Sequence, residues 1–347
     1  MGSIKFVKEP GYIFSLFRIF CIYFNKELLS LPYNGYKNSD EDIEYLQQVL
    51  ADFTPISNEL LVFFHMPRIN IAFMKRYYFD AYRKEMIDGT YNLDTVLAAL
   101  NDHEEVVRNV MRFYFLKISE ETIQECLTDL KKLNKLIKNS VHKPEIKNAL
   151  YEFFIDPVPA IQKLSAELAQ KERLLAVQYE KKHDSIIALQ NKLSYNRVIS
   201  DLQQVPQEGV DLSDYSEMYV SVGVIARQVM VALRFENSVV VTVGLDYEEL
   251  MERLKSENIV VELDTFGNAV SEKNRIQILE FILRKGEAAQ KEVEKELGLT
   301  ANNAYYHLML MTKANLLNFR NQGRATLYRI NKEYMEAVMR EIEKYTK

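Results

Sequence analysis

The sequence predicts a mainly α-helical protein with one small antiparallel sheet, and three observations lead to that expectation. Across residues 39–155, apolar residues recur at three- and four-residue intervals behind polar starts, the spacing of short amphipathic helices. Residues 160–204 contain neither Gly nor Pro and are rich in Lys, Glu, Gln, Leu and Ala, as a long helix requires. Between residues 216 and 245 the apolar period shortens to two, the mark of strands. With only 11 Gly and 8 Pro in 347 residues and 48% apolar content, low-complexity and disordered classes are excluded. Four regions follow: an all-helical domain over 1–156, a long connecting helix over 157–205, a small α/β segment over 206–258, and a compact C-terminal module over 259–347.

The apolar run Ile13–Phe24 superficially resembles a secretory leader. Arg18 interrupts it, no small-residue cleavage site follows, and twelve residues are too few to span a bilayer, so a buried helix or strand is expected. Phe6 stands where a myristoylation signal would carry Ser or Thr. Cys21 and Cys126 match no metal or redox spacing, which suggests reduced thiols. A cytoplasmic protein with no membrane partner is the expectation.

Polar starts then open a series of helices. Ser39 and Asp40 precede Ile43, Leu46, Leu50 and Phe53; Ser57 precedes Leu60, Leu61 and Phe64; Asn92 opens 93–100. Asp102 with Glu105 resembles a capping box, Ser119 starts a helix reaching Ile137, and Pro144 sits early in one ending near Phe154. Tyr77, Tyr78 and Tyr82 belong to an aromatic-rich stretch. Such residues are more often core, but their hydroxyls need partners if buried, which makes them candidates to line a pocket for a small apolar effector.

Asp156-Pro157-Val158-Pro159 marks a boundary. In the helix beyond it, the sevenfold positions pair with Lys171, Gln178, Ser185 and Lys192, too polar for a coiled-coil seam. The stripe Leu164, Leu168, Leu175, Tyr179, Ile186, Leu193 fits packing on a neighbouring surface. Residues 218–224, 230–235 and 239–243 read as strands, with Glu236-Asn237-Ser238 as a hairpin turn, and 246–254 as a short helix.

The last 80 residues are the most informative. Ile276, Leu279 and Leu283 share one helical face, with Ile278 and Ile282 adjoining it, in a helix closed by Arg284-Lys285-Gly286. A second helix spans roughly Glu287 to Leu297, Gly298-Leu299 makes a turn, and Thr300 can cap a third helix. Two helices joined by a short Gly-containing turn define a helix-turn-helix. In the third helix, Ala304, Leu308 and Met311 should face inward, leaving Asn302, Asn303, Tyr306 and His307 outside, with no acidic residue from Thr300 to Leu317. A β-hairpin follows around Asn321-Gln322-Gly323-Arg324, with Arg320 and Arg324 flanking its tip, which predicts a winged helix-turn-helix.

The stretch from Leu299-Thr300-Ala301-Asn302-Asn303 through Tyr306-His307-Leu308 to Ala314-Asn315-Leu316-Leu317 resembles the ArsR-type regulators. So do Asn274–Leu279 as the opening helix and Gln322–Ile330 as the wing, over about 75 residues in all. Lys273-Asn274 and Asn315 depart from the family's Pro-Thr and Gly. The resemblance implies a homodimeric transcription regulator, a repressor more often than an activator, bound to double-stranded DNA. Residues expected at DNA are Thr300, Ala301, Asn302, Asn303, Tyr305, Tyr306, His307, Lys313, Arg320, Gln322 and Arg324. For dimerisation, Tyr334, Val338, Ile342 and Tyr345 form a stripe on the terminal helix, and Phe266 and Val270 offer a second element. The family's metal sites use Cys or His pairs, yet 287–297 and 331–347 contain neither, so metal sensing does not carry over and no cofactor is expected.

Charge supports the DNA reading. Residues 268–347 hold 14 Lys and Arg against 10 Asp and Glu, whereas the whole chain carries −5. No phosphate loop, nucleophile elbow or zinc-protease motif occurs, and His103 and Glu104 point about 100° apart on a helix, so an enzyme is not expected. The alternative is a protein-interaction scaffold whose winged helix docks a protein partner.

Overall fold

In a computed structural model, residues 2–29, 40–67, 72–204, 215–255, 261–322 and 325–345 are described. The chain is mainly helical with a small sheet. The described residues fall into two contact units. One contains residues 2–29, Glu41–Tyr195 and Tyr215–Tyr247; the other contains Asp40, residues 196–204 and the described residues from Glu248 onward.

The first residues are extended. Strand β1 (Ser3–Phe6) runs parallel to β2 (Glu217–Gly223), with Ser3 opposite Glu217 and Phe6 opposite Val220. The expected all-helical domain over 1–156 therefore begins with a strand, and its pairing ties that region to the segment over 206–258. Four mostly exposed residues carry too little periodicity to announce such a strand. Helix α1 (Glu9–Phe24) contains the apolar run and is buried along nearly its whole length. Gly11 lets it lie on β2: a Cβ there would sit 2.5 Å from the Val222 carbonyl oxygen.

Strand β3 (Met230–Phe235) pairs antiparallel with β4 (Ser238–Gly244) across the expected hairpin, where Glu236 takes a φ of 48°. β4, however, runs parallel to β2, and the order is β1-β2-β4-β3. The sheet is thus mixed, correcting the antiparallel expectation. The reason lies in burial. Six successive residues of β2 and six of β4 are buried, so both faces are covered, as interior parallel strands demand. Inside that ladder the Ser221 and Thr242 hydroxyls satisfy each other at 2.9 Å.

Most helices of this unit begin where the sequence places a cap. They are α2 (Asp40–Phe53), α3 (Leu61–Phe64), α4 (Phe73–Tyr78), α5 (Arg83–Asp88), α6 (Leu93–Leu100) and α7 (His103–Tyr114), followed by α8 (Glu120–Thr128), α9 (Leu130–Lys138) and α10 (Pro144–Ile155). Asn92 accepts from the Thr95 N–H, Asp102 from Glu105 and Ser119 from Thr122. The helix expected from Ser119 to Ile137 is divided in two. Asp129 accepts from the N–H groups of Lys131 and Lys132 and so restarts the chain as α9.

The connecting helix is likewise three pieces: α11 (Pro157–Lys181), α12 (His183–Lys192) and α13 (Tyr195–Gln204). The chain bends at Lys182 and becomes extended at Leu193, which is itself buried. Leu164, Leu168, Leu175 and Tyr179 are buried as the 3.6-residue stripe requires. Lys171 lies on the same stripe, with its ammonium donating to the Pro55 carbonyl at 3.0 Å. Because α10, α11 and β2–β4 share one contact unit, the Asp156–Pro159 corner is a turn within that unit.

The second unit contains α14 (Tyr247–Lys255) from its second residue, α15 (Leu263–Val270), α16 (Lys273–Lys285), β5 (Ala288–Ala289), α17 (Gln290–Leu297), α18 (Ala301–Lys313), β6 (Leu317–Gln322), β7 (Ala325–Ile330) and α19 (Lys332–Glu343). Its three strands lie in the order β5-β7-β6, all antiparallel neighbours. One core joins them, built on Ile278, Ile282, Val293, Ala304, Leu308, Met311, Leu316 and Leu317. Among the described residues, no helix is long and apolar enough to cross a membrane.

Candidate nucleic-acid interface

Helix α17 ends at Gly298, whose φ of 63° is the left-handed conformation that glycine adopts without a Cβ clash. Two residues later the Thr300 hydroxyl accepts from the Asn303 N–H at 3.3 Å and starts α18. The entry is fixed from the side by Gln290, whose amide donates to the Ala301 carbonyl at 2.9 Å. Ala304, Leu308 and Met311 are buried as expected. Asn302, Asn303 and Tyr306 are exposed, Tyr306 at 51%, and Lys313 is exposed at the far end. Ala301 and Tyr305 are half-buried.

His307 is the exception among the residues expected outside. It is 5% exposed. Spaced three from Ala304 and four from Met311, it falls on the inner stripe, and helical geometry places its side chain there. Its Nε2 lies 3.6 Å from the Glu272 carboxylate, and its buried Nδ1 has no hydrogen-bond partner among the described residues. Desolvation pushes its pKa below 6.5, with Glu272 opposing the shift and Arg275 adding to it. The imidazole is a core group. The Tyr306 ring leans against it, centroids 5.6 Å apart and near edge-on.

Arg320, expected to hold phosphate, already holds a carboxylate. Its Nε donates to Glu287 at 2.9 Å and a second nitrogen meets the other oxygen, the paired geometry of guanidinium with carboxylate. The guanidinium keeps the Glu287 carboxyl below the usual range. Glu287 was expected inside the second helix, but that helix begins at Gln290, and β5, with Glu287 just before it, joins the sheet. No two-residue strand can be read from periodicity. The side chain of Gln322 and the whole of Arg324 lie outside the described residues, whereas Arg329 on β7 is exposed. Asn315 takes φ 59°, the left-handed region that Asn tolerates better than most residues.

Arg275 was not foreseen. It is buried, and its guanidinium donates to the carbonyls of Ala269 and Asn268 at 3.0 and 2.9 Å while pairing with Glu272 at 2.8 Å. It thereby closes the C-terminus of α15. The signal was Arg275 at a spacing of three and seven from Ile278 and Ile282, the residues that face the core. Ile276 and Leu283, expected inward, are exposed at 38% and 67%.

The dimerisation stripe is also corrected. Tyr334 and Val338 are each 2% exposed and belong to the chain's own core, while Phe266 and Val270 pack partly buried against it. Ile342 and Tyr345 face outward at 44% and 77%, with Met339 beside them at 63%. In the other unit, Tyr77 and Tyr78 pack on Phe73 and Tyr82 packs on Tyr91, so these rings contact other rings. The Tyr91 hydroxyl donates to the Tyr78 carbonyl at 2.7 Å. Among the described residues, no group of three or more His, Cys, Asp or Glu side chains could hold a metal ion. No protein-family model matches the chain.

Proposed function

We propose that residues 259–347 form a winged helix-turn-helix that binds duplex DNA, with α18 as recognition helix and the β6–β7 hairpin as wing. The chain is then a sequence-specific transcription regulator of the ArsR type without that family's metal site. It acts as a homodimeric repressor on an inverted repeat. The observation that supports this reading is the outer face of α18, where Asn302, Asn303 and Tyr306 stand exposed at the N-terminal end and Lys313 at the other. That face lies in a run from Leu297 to Lys332 containing five cations and no carboxylate. An ordinary solvated helix mixes both charges; a surface that approaches phosphates excludes one.

Two copies would meet through Met339 and Ile342 on the outer side of α19 and Tyr345 just past its end, since Tyr334 and Val338 are occupied within the fold. Roles divide by chemistry: side chains at base edges set sequence preference, and cations at the backbone set affinity. In a fluorescence-anisotropy titration, Lys313→Ala and Arg324→Ala should weaken binding to operator and random duplex alike and flatten the salt dependence by about one counterion each. Asn302→Ala and Asn303→Ala should narrow the difference between operator and random duplex. Equal losses on both duplexes from all four variants would refute the assignment of α18.

A further inference from the structure

Between Ala301 and Thr312, helix α18 contains no Lys, Arg, Asp or Glu. The usual guanine readers, Arg and Lys, are therefore missing from the stretch that would enter the groove. His307, whose ring N–H could donate to guanine, is turned into the core. Two adjacent amides and one aromatic ring remain on the exposed face.

We infer that α18 selects A·T base pairs, with Asn302 and Asn303 paired to adenine and the Tyr306 ring against a thymine methyl group. This rests on the reading of α18 as the recognition helix and adds which duplexes it prefers. The chemistry is directional. A carboxamide presents one donor and one acceptor in a plane, matching the N6 amino group and N7 of adenine. Guanine presents two acceptors, N7 and O6, so one side of the amide would face a like group. Asn302 and Tyr306 are four residues apart and Asn303 and Tyr306 three, so all three share one face. Tyr306 stays 51% exposed there while its ring packs edge-on against the buried His307 ring. Lys313 lies eleven residues beyond Asn302, about 16 Å along the axis, too far to reach the same base step.

The test begins with selection of bound sequences from random duplex DNA by the full chain. In the recovered site, adenines and guanines are then replaced one at a time by their 7-deaza analogues, which lack the N7 acceptor. The expected result is adjacent A·T pairs in each half-site, with a loss of about tenfold or more on 7-deazaadenine at those positions. That loss should disappear for Asn302→Ala or Asn303→Ala, both exposed positions whose truncation leaves the core untouched. 7-Deazaguanine in the same half-site should change nothing. A guanine position sensitive to the analogue in the parent protein and insensitive in Asn302→Ala would overturn the base assignment. Tight, salt-sensitive binding to every duplex alike would also overturn it while leaving the DNA-binding reading intact. Absence of any duplex binding at low salt would remove that reading, and the base preference with it.

Discussion

A single histidine shows how environment decides a role that residue type leaves open. His307 in the folded chain holds its proton less tightly than a free imidazole, because burial and Arg275 disfavour its charge more than Glu272 favours it. The unfolded chain binds a proton at the ordinary value, so folding excludes that proton. Stability from this group is complete above about pH 6.5 and declines as pH falls below it. Denaturant melts should show that decline, and His307→Gln should reduce it; an unchanged pH slope would contradict the burial argument. The Glu287 and Arg320 side chains are each more than a third exposed, so the pair should add little to stability. In the proposed DNA-binding role, Glu287→Gln removes a carboxylate beside the wing and releases a guanidinium. Affinity for any duplex should rise and its salt dependence steepen. The sequence showed Asn302, Asn303 and Tyr306 in their positions because they need only helical phase, which Thr300 sets. It could not show the Arg320 pairing, which depends on where β5 meets β7.

Helix α18 joins surface to core, and at this scale its inner face can be tested separately from its outer one. Leu308 is fully buried, so Leu308→Ala should cost about 2–5 kcal/mol in chemical denaturation through lost contact and the cavity left behind. A cost under about 1 kcal/mol would mean that the helix is not packed as described. At the N-terminus, β1 is an edge strand bonded only to β2. The N–H groups of Ser3 and Val7 point to Ser216 and Val220, and by two-residue alternation Lys5 donates on the same side. Lys5→Pro would remove that bond, and hydrogen exchange along β2 should accelerate. Helices behind a polar cap were legible, as at α6, α7, α8 and α18. Short pieces were not: β1 and β5 hold too few residues, and the breaks at Lys182 and Leu193 occur without Gly or Pro.

For the molecule as a whole, burial on both faces explains why the sheet is mixed. Helix α1 and neighbouring helices cover the sheet, and the Val-rich run of β4 is the clearest signal of that burial in the sequence. Charge gives the complementary picture. An acidic chain of net −5 carries a C-terminal stretch of 14 cations against 10 carboxylates, and the carboxylate-free run falls on α18 and the hairpin. Such a distribution draws a polyanion to one end and repels it elsewhere, so attachment should depend steeply on ionic strength. Retention of the full-length chain on duplex DNA as salt increases from about 50 to 200 mM is the most direct measurement. Saturable binding that weakens by orders of magnitude over that range is the predicted result; no retention at the low end, or retention indifferent to salt, would contradict the account.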